Sequence, residues 1–175
     1  MQVSNKNTAV ATSAPRPASP EVKRLRPVAR PSVRSASPWL AARFLGAFSL
    51  LAVGAVHLQQ YEYLYSTIPT IGTLFLLNFV GATVIGLGLL APVERMLGRL
   101  GATALGLLSL GGIGLAASAF VFLLVAERTP LFGFMEPGYD PPAIMAARAA
   151  EIVTVAALGI FLTARFGWRK AAGTW

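Results

Sequence analysis

The sequence predicts an all-α fold, a bundle of four transmembrane helices preceded by a disordered tail. Of its 175 residues, 55% are hydrophobic and only 13% are charged, which is too apolar for an ordinary soluble domain. The apolar residues fall into four blocks, each reaching the length of about 20 residues that a spanning helix needs. Basic residues collect at one side of these blocks. Together these observations predict an integral membrane protein.

Residues 1–38 are predicted to be a disordered, basic cytoplasmic tail. They are rich in Pro, Ser, Ala and Arg, have few large apolar residues and show no helical periodicity. A cleaved signal peptide is disfavoured because its apolar core is only about 7–15 residues long. The block that follows here has spanning length, so the first helix is predicted to stay uncleaved.

The membrane domain is predicted over residues 39–166, and a short cytoplasmic tail follows at 167–175. Its four apolar blocks give the predicted spans, which are 39–60, 68–91, 100–126 and 142–166. The third span contains small residues four positions apart, a spacing that lets helices pack closely in lipid. We therefore expect the third span to be the most enclosed.

The starts of two spans carry capping signals. Ser66 and Thr67 precede Pro69, and we expect them to cap the second span. Asp140 precedes Pro141, which repeats the arrangement at the fourth span. Tyr and Trp cluster near the predicted boundaries, where membrane interfaces favour them.

The basic residues predict the orientation of the bundle. One side holds all but two of the 15 Lys and Arg residues, and the opposite loops hold acidic residues and Arg128. Because Lys and Arg are enriched in cytoplasmic loops, both termini are predicted to be cytoplasmic, in the plasma (inner) membrane. The net charge of +8 is then a topology signal, and nucleic-acid binding is not predicted. The basic residues on the predicted cytoplasmic side are Lys6, Arg16, Lys23, Arg24, Arg26, Arg30, Arg34, Arg43, Arg95, Arg99, Arg165, Arg169 and Lys170.

Composition excludes several kinds of chemistry. The absence of cysteine excludes disulfides, thiol relays and thiolate metal ligands. A single histidine cannot supply bis-histidine haem ligation, and no catalytic triad is available. No catalytic residue, metal site or cofactor is therefore predicted.

Polar residues inside the spans predict a pocket in the outer half of the bundle. Glu151 lies about nine residues into the fourth span, roughly 14 Å deep and close to the membrane centre. A charged, lipid-facing carboxylate there would cost at least about 2.5 kcal/mol, so Glu151 is predicted to face the bundle, to be paired or to be protonated. Arg148 lies one turn earlier and is predicted to pair with it. Asn78 and Ser118 are expected at a similar depth, whereas the other half offers only small hydroxyl side chains.

His57 lies near the outer end of the first span, and Tyr61 and Tyr65 follow at four-residue steps on one face if the helix continues. Structural interpretations stay open, since an interfacial histidine can be an anchor, tyrosines can form a headgroup belt and an Arg–Glu pair can fix helix rotation. The candidate polar pocket consists of His57, Tyr61, Asn78, Ser118, Arg148 and Glu151.

Three strings carry a family resemblance. The string "HLQQYEYLY" begins at His57, "IPTIGTLFLLN" follows from Ile68 to Asn78, and "LFGFME" lies at 131–136. Together they resemble a group of small four-span membrane proteins from actinobacteria, over roughly residues 45–165. The resemblance implies a four-helix inner-membrane protein and supplies no activity.

Three functions are compatible with these features. The first is a non-enzymatic structural or accessory subunit that packs against the lipid bilayer, a partner membrane subunit or a second copy of the chain. The second is a small transporter or ligand binder that uses the outer polar layer. The third is a redox accessory that binds a quinone or a single-histidine haem through His57.

Overall fold

The structure, a computed structural model, describes residues 37–167, and four long helices account for most of them. All four are long and apolar enough to cross a membrane, which confirms the predicted all-α four-helix membrane bundle. The predicted tails at 1–36 and 168–175 lie outside the described residues. The helices are α1 (Pro38–Gln60), α2 (Pro69–Leu90), α3 (Val93–Leu97), α4 (Gly101–Ala126) and α5 (Pro141–Leu162).

Short irregular segments extend or join these helices. A π-helical turn, Tyr61–Tyr65, continues α1, and a second one, Thr163–Gly167, continues α5. The short α3 and a 3₁₀ turn, Gly98–Leu100, connect α2 to α4. Gly98 has a φ of 51°, a left-handed conformation that favours glycine.

Helix starts follow the predicted signals only in part. Asp140 caps α5, since its Oδ1 accepts a hydrogen bond from the backbone N–H of Ala143 at 3.1 Å. The cap predicted from Ser66 and Thr67 is wrong. Ile68 occupies the N-cap position of α2 and no side chain caps it, because the tight turn Tyr65–Ile68 places Thr67 one residue and Ser66 two residues before that position.

The helices pack in the cyclic order α1, α2, α4, α5, so that α1 and α4 lie on a diagonal. The expectation that the third span is the most enclosed is wrong. Only 17% of the most apolar stretch of α4 is buried, against 33% for the first and fourth spans. The small residues of α4 do not all face inward: Gly112 lies against Leu50 and Leu158, whereas Gly114 faces open space.

One half of the bundle is filled by large apolar side chains. Leu50, Leu89, Leu105, Leu158 and Phe161 are essentially inaccessible and form one cluster there. We call this region the packed half. It lies towards the end of the bundle where α1 begins and α5 ends.

Polar groups in the packed half are bonded. Arg43 is buried and donates through Nε to Leu89 O and through Nη2 to Ala91 O, both at 2.6 Å. Because α2 ends before Pro92, these carbonyl oxygens have no following helical turn to bond. Ser49 and Thr154 share a hydrogen bond of 2.8 Å between α1 and α5. The sequence did not indicate these roles.

Candidate functional site

A cavity of about 210 Å³ occupies the other half of the bundle, which we call the cavity half. It lies between the last turns of α1 and α4 and the first turns of α2 and α5, and the loop at 127–140 contributes to its wall. Most of its lining is apolar. The polar residues among the lining are His57, Gln60, Tyr65, Asn78, Ser118, Glu136 and Glu151.

The loop side of the cavity is closed by a buried hydrogen-bond network around Glu136. The hydroxyl of Tyr65 donates a short hydrogen bond to Glu136 Oε2. The backbone N–H groups of Gly138 and Tyr139 both donate to Oε1 at 2.9 Å. Tyr65 and Glu136 are each only 5% exposed, so this network ties the π-helical turn to the loop above the cavity.

A second contact fixes the relative position of α1 and α5 at the same end. Gln60 is buried and its Nε2 donates to Asp140 Oδ2 at 2.8 Å. Asp140 thus accepts hydrogen bonds from its own helix and from α1. The aspartate that begins α5 is thereby held beside the last residue of α1.

Glu151 lines the cavity and has no hydrogen-bond partner for its Oε2. Its side chain is 1% exposed, so the carboxyl group is enclosed by the bundle, as the sequence predicted. The predicted ion pair with Arg148 is wrong. Arg148 Nη2 instead donates to Glu127 Oε1, and Glu127 follows the last residue of α4. Both side chains keep about 30% of their surface accessible there.

Asn78 supplies a second unpartnered oxygen. Its side chain is 8% exposed, lines the cavity from α2, and leaves Oδ1 without a hydrogen-bond partner. Buried polar atoms in proteins are nearly always hydrogen-bonded, so two such oxygens in one cavity call for an explanation.

His57 lines the cavity from α1 and is bonded on one nitrogen. Its Nδ1 lies 2.8 Å from Val53 O, and since a carbonyl oxygen only accepts, Nδ1 carries the proton. In the neutral ring Nε2 is then an acceptor. The ring packs against Phe75, with centroids 5.1 Å apart.

The cavity has its most accessible lining between α2 and α4. Leu77 of α2 is 60% exposed and Phe122 of α4 is 43% exposed. Ser118, one turn before Phe122 on α4, is also exposed and donates to Leu115 O at 2.9 Å. Nearer the packed half the two helices meet closely, since a Cβ added at Gly81 would lie 3.3 Å from Leu115 Cδ2. These exposed lining residues indicate an opening at the side of the bundle, between α2 and α4.

The structure brings together four of the six predicted pocket residues, namely His57, Asn78, Ser118 and Glu151. It does not join them by direct side-chain hydrogen bonds within residues 37–167. Tyr61 and Arg148 do not line the cavity.

Three polar lining residues were absent from the predicted set: Gln60, Tyr65 and Glu136. The four-residue steps from His57 to Tyr61 and Tyr65 could have indicated that Tyr65 lines the cavity. Nothing in the spacing of Glu136 indicated that a loop acid would be buried.

The chain matches no family model, no curated protein and no solved structure.

Proposed function

We propose that this integral membrane protein binds a small organic ligand in the cavity half. One observation carries the proposal. Glu151 and Asn78 are both buried, both line the same cavity, and each has a side-chain oxygen without a partner. A buried acceptor that is left unsatisfied costs about 1–3 kcal/mol, and a ligand that donates hydrogen bonds would remove that cost.

The lining has the composition of a ligand site. Such sites combine mainly apolar walls with a few polar groups that orient the ligand. The volume of about 210 Å³ exceeds that of an engineered cavity of about 150 Å³ that holds benzene. It is below the range of about 300–1,000 Å³ for larger ligands, which disfavours a haem macrocycle.

The accessory-subunit hypothesis is also compatible with the cavity. A partner subunit could insert an apolar side chain between α2 and α4, where Leu77 and Phe122 are accessible. Such a side chain would leave the oxygens of Glu151 and Asn78 unpartnered. For this reason we favour a ligand with hydrogen-bond donors.

We also propose that both termini are cytoplasmic in a plasma membrane, so that the cavity half faces outward. The distribution of Lys and Arg supports this orientation. A reporter that is active only in the cytoplasm, fused at Gly138, should give no signal. A strong signal there would reverse the proposed orientation.

Ligand binding can be tested with 2-phenylethanol, an aromatic alcohol whose hydroxyl can donate to either unpartnered oxygen. Binding to the full-length protein in lipid nanodiscs would be measured by titration calorimetry, with empty nanodiscs as the baseline. Ala119→Leu fills part of the cavity and should abolish the heat of binding. Ala149→Leu places the same side chain on the exposed face of α5 and should leave binding unchanged. Equal binding by both variants, or no binding by the wild type, would refute the proposed site.

A further inference from the structure

We propose that the ligand is a membrane-dissolved organic monocation, a protonated amine, whose ammonium group binds between Glu151 and Asn78. This inference rests on the proposed function and specifies the ligand of the same site. It follows from the charges around the cavity, from the kind of polar atom left unpartnered, and from the position of the opening.

The charges around Glu151 favour a cation. The nearest basic residue along α5, Arg148, bonds Glu127 and does not line the cavity. The other ionisable lining residues are His57 on α1, Tyr65 on the π-helical turn and Glu136 on the loop. The carboxylate of Glu136 already accepts hydrogen bonds from the hydroxyl of Tyr65 and from two backbone N–H groups. No ion pair with Glu151 forms among residues 37–167.

Among residues 37–167, an ionised Glu151 therefore has no cation within ion-pair distance; the guanidinium of Arg148 acts on it only from further away and is bonded to Glu127. A buried carboxylate without a partner is costly at membrane depth. An ammonium group in the cavity would supply the missing counter-charge. A carboxylate or phosphate ligand would add a second negative charge and increase the cost.

The unpartnered oxygen atoms favour a ligand that donates hydrogen bonds. Within residues 37–167, Glu151 Oε2 and Asn78 Oδ1 are the buried side-chain oxygens without a partner; the third unpartnered buried atom is Arg148 Nε, whose residue does not line the cavity. An ionised carboxylate accepts hydrogen bonds only. A primary ammonium carries three N–H donors and no acceptor, so it complements both oxygens. Charge-assisted hydrogen bonds of this kind are about twice as strong as neutral ones.

The remaining lining suits an aromatic or aliphatic body on the amine. Phe75 packs against Tyr65 with ring centroids 4.6 Å apart, and Phe134 meets Tyr65 edge to face at 5.5 Å. Phe75 and Phe134 both line the cavity beside Leu74 and Ile144. These side chains would cover the apolar part of the ligand while its charged group lies deeper.

The position of the opening indicates where the ligand comes from. The loop side is closed by the contact between Tyr65 and Glu136, whereas the accessible lining residues belong to α2 and α4. An amine with an apolar body partitions into the bilayer and can reach the cavity sideways, past Ser118. This is why we specify a membrane-dissolved amine.

The ligand class is tested by comparing 2-phenylethylammonium with 2-phenylethanol, which has the same carbon skeleton and no charge. Titrations would use the full-length protein in nanodiscs of neutral lipid. The wild type should bind the ammonium about tenfold more tightly than the alcohol, the difference that one charge-assisted hydrogen bond confers. Glu151→Gln, which keeps the shape of the side chain, should abolish this preference.

Glu62→Gln is the matched control, because Glu62 is exposed at the same end of the bundle and does not line the cavity. This variant should keep the preference for the ammonium. If the wild type and Glu151→Gln bind the alcohol and the ammonium equally well, the ligand class is wrong while the binding site stands. If neither compound binds the wild type, both the ligand class and the proposed function fail.

The route is tested separately by Ser118→Phe, which should obstruct the opening. The association rate of 2-phenylethylammonium should fall severalfold relative to the wild type. Gly114→Phe places the same ring one helical turn away in open space and should not slow association. Equal rates for both variants would exclude entry between α2 and α4.

Discussion

The two halves of this bundle differ in whether their deeply placed polar side chains have hydrogen-bond partners. In the packed half, Arg43 is buried with two carbonyl partners, and Ser49 is bonded to Thr154. In the cavity half, Glu151 and Asn78 are equally enclosed, yet each keeps an unpartnered oxygen. The bonded groups of the packed half join helices, whereas Glu151 and Asn78 face an open volume, although other polar groups at the loop side of the cavity are bonded.

This difference distinguishes polar side chains that stabilise the fold from polar side chains that are free to bind a ligand. Depth within the membrane does not distinguish the two, since both halves contain buried polar groups. Hydrogen-bond satisfaction does distinguish them, because a polar group that stabilises the fold has its partners within the protein.

The largest contrast is expected from truncating one leucine in each half. Leu158→Ala removes a fully buried side chain of the packed half and should destabilise the protein by about 2–5 kcal/mol. Leu123→Ala enlarges an existing cavity and should cost less than half as much, because Leu123 is half-buried and already borders empty space. Thermal unfolding in one detergent would measure both. Equal losses would contradict the distinction between the halves.

The two buried glutamates of the cavity half should respond with opposite signs. Glu136→Gln disturbs a carboxylate that accepts three hydrogen bonds and should destabilise by about 1–3 kcal/mol. Glu151→Gln removes a buried carboxyl that lacks such bonds and should stabilise the unliganded protein by about 1 kcal/mol. Melting temperatures of purified variants without ligand would show the signs. Destabilisation by Glu151→Gln would mean that its carboxyl group has a structural partner.

Smaller changes in stability are expected from glycine substitutions, which test how closely the helices pack. A Cβ at Gly46 would lie 2.7 Å from Leu158 Cγ, so Gly46→Ala should cost about 1–3 kcal/mol through overpacking. Gly114→Ala meets nothing within 4 Å and should stabilise α4 by up to about 1 kcal/mol, since alanine favours helix. The same unfolding assay compares them. Similar effects at both positions would show that the packed half is looser than described.

The sequence predicts the fold well because membrane helices depend on length and hydrophobicity, which are local properties. Predicted and observed spans agree to within one residue at seven of their eight ends, and the cap at Asp140 is confirmed. The position of Glu151 about three turns into α5 likewise follows from counting residues from Pro141, whereas its depth in a membrane stays a prediction. Helical rise is regular, so depth can be predicted from sequence alone.

Side-chain pairing could not be predicted in the same way. The sequence suggested that Arg148 would pair with Glu151, its neighbour on α5. In the structure Arg148 pairs with Glu127, which follows the last residue of α4. Burial of Glu136 depends on a loop that folds back onto Tyr65, a contact between residues far apart in the chain. Such choices depend on the rotation of each helix, which the weakly amphipathic spans do not specify.

The most direct test of the difference between the halves is one substitution made at two positions of α4. Ala116 is fully buried where the packed half begins, and Ala119 lines the cavity one turn further on. Ala116→Leu should destabilise the protein by about 1–3 kcal/mol because the added side chain has no space. Ala119→Leu should leave the melting temperature unchanged or raise it, since its side chain enters an open volume. A loss of stability at Ala119 as large as that at Ala116 would contradict the existence of the cavity.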